Sequence, residues 1–212
     1  MLLLVAVLLS QAPEKVPGAT FEKTNKPSGL MPEHQRVTVP DFGKLDVVNV
    51  AAWEKLFAVE PKTKDACVTK SAADLKKVLK VKGLPPANKA LPTLGCLDAT
   101  SYFTAQARRV KIGKAEGLFY VTQWFIEPTL ANNRELQAWF QGFSADGKTY
   151  VVGSVPVKAK GLRDDGGALQ KDDAAYQKQL ADDAALLAKL GPADFEPNLD
   201  ALVKALESAQ LP

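Results

Sequence analysis

Histidine, cysteine and clustered acids are where catalytic and metal chemistry starts, and this chain is poor in all three. His34 is its only histidine, and Cys67 and Cys96 are its only cysteines. A Ser-His-Asp triad or a histidine-based zinc site would have to use His34. That residue stands between Glu33 and Gln35, beside a stretch rich in Pro and Gly, where a solvated histidine is the expectation. No G-x-S-x-G, Walker loop, G-x-G-x-x-G or H-E-x-x-H motif is present. Asp164-Asp165, Asp172-Asp173 and Asp182-Asp183 are adjacent pairs. Neighbours on a helix diverge by ~100°, so such pairs make poor joint calcium or acid/base sites. Glycoside hydrolysis needs two converging carboxylates, and the central strands offer only Glu127 and Glu135 near their ends. No cofactor and no metal are implied. The reading is a non-enzymatic domain, with a motif-free hydrolase of envelope polymers as the alternative.

What the chain does offer is binding chemistry. In WFQGFSADGKTYVVG, residues 139–153, Trp139, Gln141 and Tyr150 combine flat apolar area with hydrogen-bonding groups, a set that suits carbohydrate or peptide. Asn132, Asn133 and Arg134 form a polar loop just before. This loop is either a plain turn, since Asn favours turns, or the rim of a binding site.

These residues need elements to hold them. The run 139–153 reads as two strands joined at Asp146-Gly147 by a two-residue type I′ turn. That register pairs Phe143 with Tyr150, Gln141 with Val152 and Trp139 with Ser154. One face then carries Leu136, Ala138, Phe140, Val151, Val155 and Val157, an aliphatic core. The other carries Trp139, Phe143, Tyr150 and Val152 among amides. Two bulky faces mean that a helix covers the second face or that it is an open binding surface. The expectation is coverage, by the helices at 173–190 and 196–208.

Further strands are expected at 34–39, 109–112 and 118–126, and short helices at 49–58, 71–79 and 98–107. In the helix at 173–190, Tyr176, Leu180, Ala184 and Leu187 share a face. In the last helix, Leu199, Leu202, Val203 and Leu206 point inward. Strands followed by helices predict one α+β domain over 34–212, a mostly antiparallel sheet with a central meander, flanked by helices and helical at its C-terminus.

The chain opens MLLLVAVLLSQA, eight apolar residues followed by Ser10 and Ala12 at cleavage-site spacing. That predicts a signal peptide over 1–12, a flexible leader over 13–33, and an exported protein, periplasmic or extracellular. No segment reaches the ~20 apolar residues of a transmembrane helix. In an exported protein, Cys67 and Cys96 are expected to form a disulfide, which would stabilise the fold by about 3.5 kcal/mol on the chain-entropy model. The net charge of +3 is too mild to imply nucleic acid. It is unevenly spread. Residues 62–89 hold eight lysines against Asp65 and Asp74, and residues 163–208 hold ten acids against five bases. These are two solvated faces, or the lysines form a patch for an anionic partner such as phospholipid or wall polymer. The expected partner is an envelope polymer, a peptide or another protein.

The stretch from Tyr120 to Val157 resembles a segment of exported bacterial proteins, many of them lipoproteins and many cyanobacterial. In these a "RYLTQ" strand precedes "INN-x-EL", then "FQGL-x-x-DG-x-Y-V" and "PV". Matching residues are Tyr120, Thr122, Gln123, Asn132, Asn133, Glu135, Leu136, Phe140, Gln141, Gly142, Asp146, Gly147, Tyr150, Val151, Pro156 and Val157. Leu91-Pro92 and the run Met31-Pro32-Glu33-His34 are also similar. The chain departs from the pattern in having no cysteine after its apolar run, hence no lipid anchor there. The resemblance implies export and supplies no catalytic residues. A fainter similarity, to PsbP-like proteins, lies in Phe195-Glu196-Pro197-Asn198-Leu199 and implies only a helix-flanked antiparallel sheet.

Overall fold

The computed structural model describes residues 20–24, 31–58, 67–95, 99–126, 129–166, 173–209 and 211. The expected signal peptide, Cys96 and Glu127 lie outside them. The protein is an α+β domain built on a seven-stranded sheet. The strands of that sheet are β1 (Thr20–Thr24), β2 (His34–Val39), β3 (Gly43–Asn49), β5 (Ala105–Ile112), β6 (Ala115–Thr122), β8 (Gln137–Ser144) and β9 (Thr149–Pro156). They lie in the order β1-β2-β3-β9-β8-β6-β5, each antiparallel to its neighbours. Two small ladders join β4 (Thr100–Ser101) to β7 (Trp124–Phe125), and β10 (Lys158–Ala159) to β11 (Phe195–Glu196). Four α-helices lie among the described residues: α1 (Val50–Ala58), α2 (Cys67–Lys80), α3 (Asp173–Lys189) and α4 (Leu199–Ser208).

Residues 20–24, within the segment expected to be a flexible leader, form the edge strand β1. The helix expected at 98–107 is instead β4 and the start of β5. Thr100, Tyr102, Phe103 and Thr104 are β-branched or aromatic and suit extended backbone. At Gln106 (φ 55°) the β5–β6 register slips in a bulge. The bulge turns the Gln106 amide onto the end of α3, where its Nε2 donates to the carbonyls of Leu187 (2.9 Å) and Leu190 (2.8 Å). Those are helix-end carbonyls without intrahelical partners.

The β8–β9 register places Phe143 opposite Tyr150, Gln141 opposite Val152 and Trp139 opposite Ser154. The turn that achieves it is not type I′, which needs positive φ at both central residues. Gly147 has φ 69° and Asp146 does not share it. The loop is four residues long, 145–148, and Gly147 N–H donates to the Ser144 carbonyl at 2.8 Å. Asp146 Oδ1 accepts from Lys148 N–H and Ser144 Oγ–H, and Ser144 Oγ accepts from Thr149 N–H. An Asp side chain thus does what a second left-handed residue would have done. Between β6 and β8, Gly117 faces Gly142. A Cβ on either would stand 2.2 or 2.5 Å from a carbonyl oxygen of the opposite strand, so both positions require glycine for this approach.

The two sheet faces are covered by different helices. Tyr176, Leu180, Ala184 and Leu187 of α3 and Leu199, Leu202 and Leu206 of α4 join Phe119, Ala138, Phe140 and Val151 in the main core. Asn198 caps α4, its Oδ1 accepting from Asp200 and Ala201 N–H. The Trp139 face is covered from the other side: Trp53 of α1, Val68, Ala72 and Leu75 of α2, and Leu94 pack on Val48, Phe143, Tyr150 and Val152. The expectation that the two C-terminal helices cover this face is therefore corrected. Periodicity shows that a helix has an apolar stripe, not which side of a sheet it meets.

Candidate functional site

The α1–α2 layer does not reach the whole sheet face. Beyond it lies a groove of about 720 Å³, a volume typical of small-molecule sites. Strand alternation supplies its floor. Arg36 of β2 stands opposite Asp46 of β3, and Asp46 opposite Val152 of β9. Ser154 of β9 stands opposite Trp139 of β8. Trp53 enters from α1, and Trp124 enters from β7, whose pairing with β4 brings it over the sheet. All three tryptophans of the chain line this one groove.

The Trp124 and Trp139 rings meet at 5.3 Å and 57°, and Trp53 meets Tyr150 at 5.9 Å. Both Trp124 and Trp139 have an indole N–H that is out of contact with solvent and has no hydrogen-bond acceptor among the described residues. Each such donor costs about 1–3 kcal/mol. The polar side of the groove holds Arg36, Lys44 and Asp46, two cations and one carboxylate. Arg36 grips Asp46 with Nε–H at 2.7 Å and Nη2–H at 3.3 Å. His34 is not solvated as expected. Its side chain is 7% exposed, with Nε2 3.1 Å from Asp46 Oδ1 and Nδ1 2.9 Å from the Pro32 carbonyl. Its place in the β1–β2 pairing, with Asp46 on one side and the Pro32 carbonyl on the other, takes it out of solvent.

Beneath the aromatic face runs a closed polar chain. Tyr150 O–H donates to Gln141 Oε1 at 2.7 Å, and Gln141 Nε2 donates to the Tyr120 hydroxyl (3.0 Å) and the Pro92 carbonyl (3.1 Å). Burial pushes the Tyr120 hydroxyl well above the ordinary tyrosine range, and the nearby Tyr150 adds to it. Burial raises Tyr150 as well, partly opposed by a backbone hydrogen bond from Leu94.

Of the residues singled out from sequence, Trp139, Gln141 and Tyr150 share one sheet face. Trp139 is half-buried and lines the groove; Tyr150 is buried at its floor. Gln141 is fully buried, its amide engaged below. The polar loop is a structural turn. Asn132 is buried, and its Oδ1 accepts from Arg134 and Glu135 N–H while Gln123 Oε1 accepts its own N–H. Asn133 ties the loop to Ala159 N–H and the Leu162 carbonyl. Arg134 is exposed and, with Asn132, Glu135 and Asp165, lines a separate cavity of about 310 Å³. The groove residues not anticipated, Arg36, Asp46, Trp53 and Trp124, come from β2, β3, α1 and β7, which the fold brings together over one sheet face. A further cavity of about 430 Å³, lined by Glu33, His34, Asn49 and Thr149, has no aromatic platform.

Cys67 is half-buried at the first residue of α2, and no free cysteine occurs among the described residues. They include no cluster of three or more His, Cys, Asp or Glu able to hold a metal, and no helix long and apolar enough to cross a membrane. Comparison of the chain with protein-family models, with curated proteins and with solved structures finds no match.

Proposed function

We propose that the chain is an exported binding domain and that the tryptophan groove takes carbohydrate. The observation that carries this reading is a groove of about 720 Å³ lined by every tryptophan of the chain, with Arg36, Lys44 and Asp46 along one side. A sugar ring offers axial C–H groups to stack on indole and hydroxyls that both donate and accept hydrogen bonds. Arg36, Lys44 and Asp46 add donors and an acceptor along the rim. Hydrolysis would need two facing carboxylates. The described lining carries one, Asp46, already engaged by Arg36 and His34. Binding without bond cleavage is the reading this supports.

Titration of tryptophan fluorescence with soluble oligosaccharides of N-acetylated sugars tests it. A saturable change is expected, lost in Trp139→Ala and in Trp124→Ala. A peptide ligand that saturates the same change while every saccharide fails would replace carbohydrate with peptide. For export, cleavage after Ala12 and a Cys67–Cys96 bridge belong to the same proposal. Intact mass of protein from its native host, before and after reduction, checks both. Retained Met1, or a mass unchanged on reduction, counts against them.

A further inference from the structure

The groove leaves another surface unexplained. Where α2 ends, Val81 and Leu84 are 62% and 54% exposed, next to Pro85 and Pro86. This tip is not loose. Arg109 reaches over from β5 and donates Nη1–H to the Leu79 carbonyl at 2.8 Å and Nη2–H to those of Val81 and Gly83. Lys89 N–H donates to the Pro86 carbonyl, and Thr104 N–H to that of Ala87 at 2.7 Å. The backbone is pinned from both sides while two aliphatic side chains stand in water.

The charge around the tip has one sign. Residues 67–91 contain six lysines and a single acid, Asp74. Lys77 pairs with Asp74, and Lys76 lies 4.9 Å over the Phe143 ring. Lys70, Lys80, Lys82 and Lys89 are exposed. Lys80 also answers the dipole of α2, but Lys82 and Lys89 lie past the helix end and have no such role. On the opposite face of the sheet, residues 173–208 carry seven acids against three bases. The sheet thus separates a basic layer from an acidic one.

We propose that the Val81–Leu84 tip docks this domain on an anionic lipid surface. Val81 and Leu84 enter the boundary between headgroups and acyl chains, the lysines meet the lipid phosphates, and the acidic α3–α4 layer faces away. A soluble anionic polymer would engage the lysines equally well but has no hydrocarbon to receive the two aliphatic side chains. This surface is separate from the carbohydrate groove and does not depend on it.

The test is sedimentation of the full chain with vesicles of phosphatidylcholine, alone or mixed equally with phosphatidylglycerol. Binding is expected to the mixed vesicles and to fall with added salt. Val81→Asp/Leu84→Asp and Lys80→Glu/Lys82→Glu should each weaken it by roughly ten-fold or more. Both pairs are exposed, so thermal melting should be unchanged; the milder Leu84→Ser, with a smaller loss in the same direction, serves if the double aspartate variant melts early. The apolar run at residues 2–9 is common to all variants, so differences between them report the tip. No preference for anionic vesicles would overturn the proposal, as would binding unaffected by the Val81 and Leu84 changes. Polyphosphate binding as tight as vesicle binding, and equally indifferent to those two residues, would assign the lysines to a polymer instead.

Discussion

The two faces of the sheet are built for different ends. Under α3 and α4 the contacts are aliphatic and aromatic, with Phe119, Ala138 and Phe140 fully buried against leucines spaced along both helices. Under α1 and α2 the same strands present rings, amides and charges, and the two short helices leave part of that face open as the tryptophan groove. Closing one face frees the other from having to supply the whole core. The second face can then hold half-covered indoles, a shared carboxylate and donors without acceptors, arrangements that a lone core could not tolerate.

If the closed face carries the stability, the largest loss belongs there. Phe140→Ala, at a fully buried position facing α3 and α4, should cost about 3–5 kcal/mol in urea unfolding. A loss below about 1 kcal/mol would mean that the two faces share the load.

Alkali probes the polar chain under the open face. Tyr120 and Tyr150 have folded-state pKa values raised above the ordinary tyrosine value by burial. Below pH ~10 both states keep these protons and stability does not depend on them. Above it the unfolded chain loses protons that the folded chain retains, so stability falls, by about 1.4 kcal/mol per pH unit for each tyrosine. Two such groups should lower the unfolding free energy by about 2–3 kcal/mol between pH 10 and 11. Tyr176, raised by burial to about 12, adds to the same slope. Tyr150→Phe and Tyr120→Phe should each flatten it.

Among the described residues the closed face has two charged ties, a partly exposed one between Arg108 of β5 and Asp200 of α4 and a more buried one. Arg163 holds Asp183 of α3 with Nη1–H at 2.7 Å and Nη2–H at 2.8 Å, and Asp183 is 3% exposed where Arg163 is 31% exposed. Removing one partner of a fully buried pair costs ~3–5 kcal/mol, and of an exposed pair ~1 kcal/mol or less. Asp183→Asn should fall between, at about 2 kcal/mol by urea unfolding.

The same contrast decides what sequence could show. The closed face was legible because its residues repeat: every second residue of β8, and Tyr176, Leu180, Ala184 and Leu187 at helical spacing. β3 was not. In GKLDVVN, Leu45 and Val48 are both fully buried yet an odd number of positions apart, so they face opposite layers and the alternation that marks a half-buried strand is missing. The hairpin register was readable from Asp146-Gly147, though not the four-residue turn that sets it. Of the groove, Trp139 and Tyr150 stood out because they share one hairpin. Arg36, Asp46 and Trp124 did not, since their meeting depends on β3 pairing with β9 and on β7 pairing with β4, contacts between segments far apart in the chain.

The smallest stability effect should come from the residue most exposed to the question. Trp139 packs one side against Trp124 and the edge of the α1–α2 core, and turns the rest of its ring to the groove. Trp139→Ala widens a space that is already open to water, so no closed cavity forms and the full penalty for a buried tryptophan does not apply. The change also removes a donor that has no acceptor among the described residues, which returns part of the loss. A destabilisation of about 1 kcal/mol is expected from urea unfolding, alongside loss of saccharide binding in the fluorescence titration. A cost near that of Phe140→Ala with binding intact would make Trp139 part of a second closed core, and the contrast between the faces would fail at the residue on which it depends most.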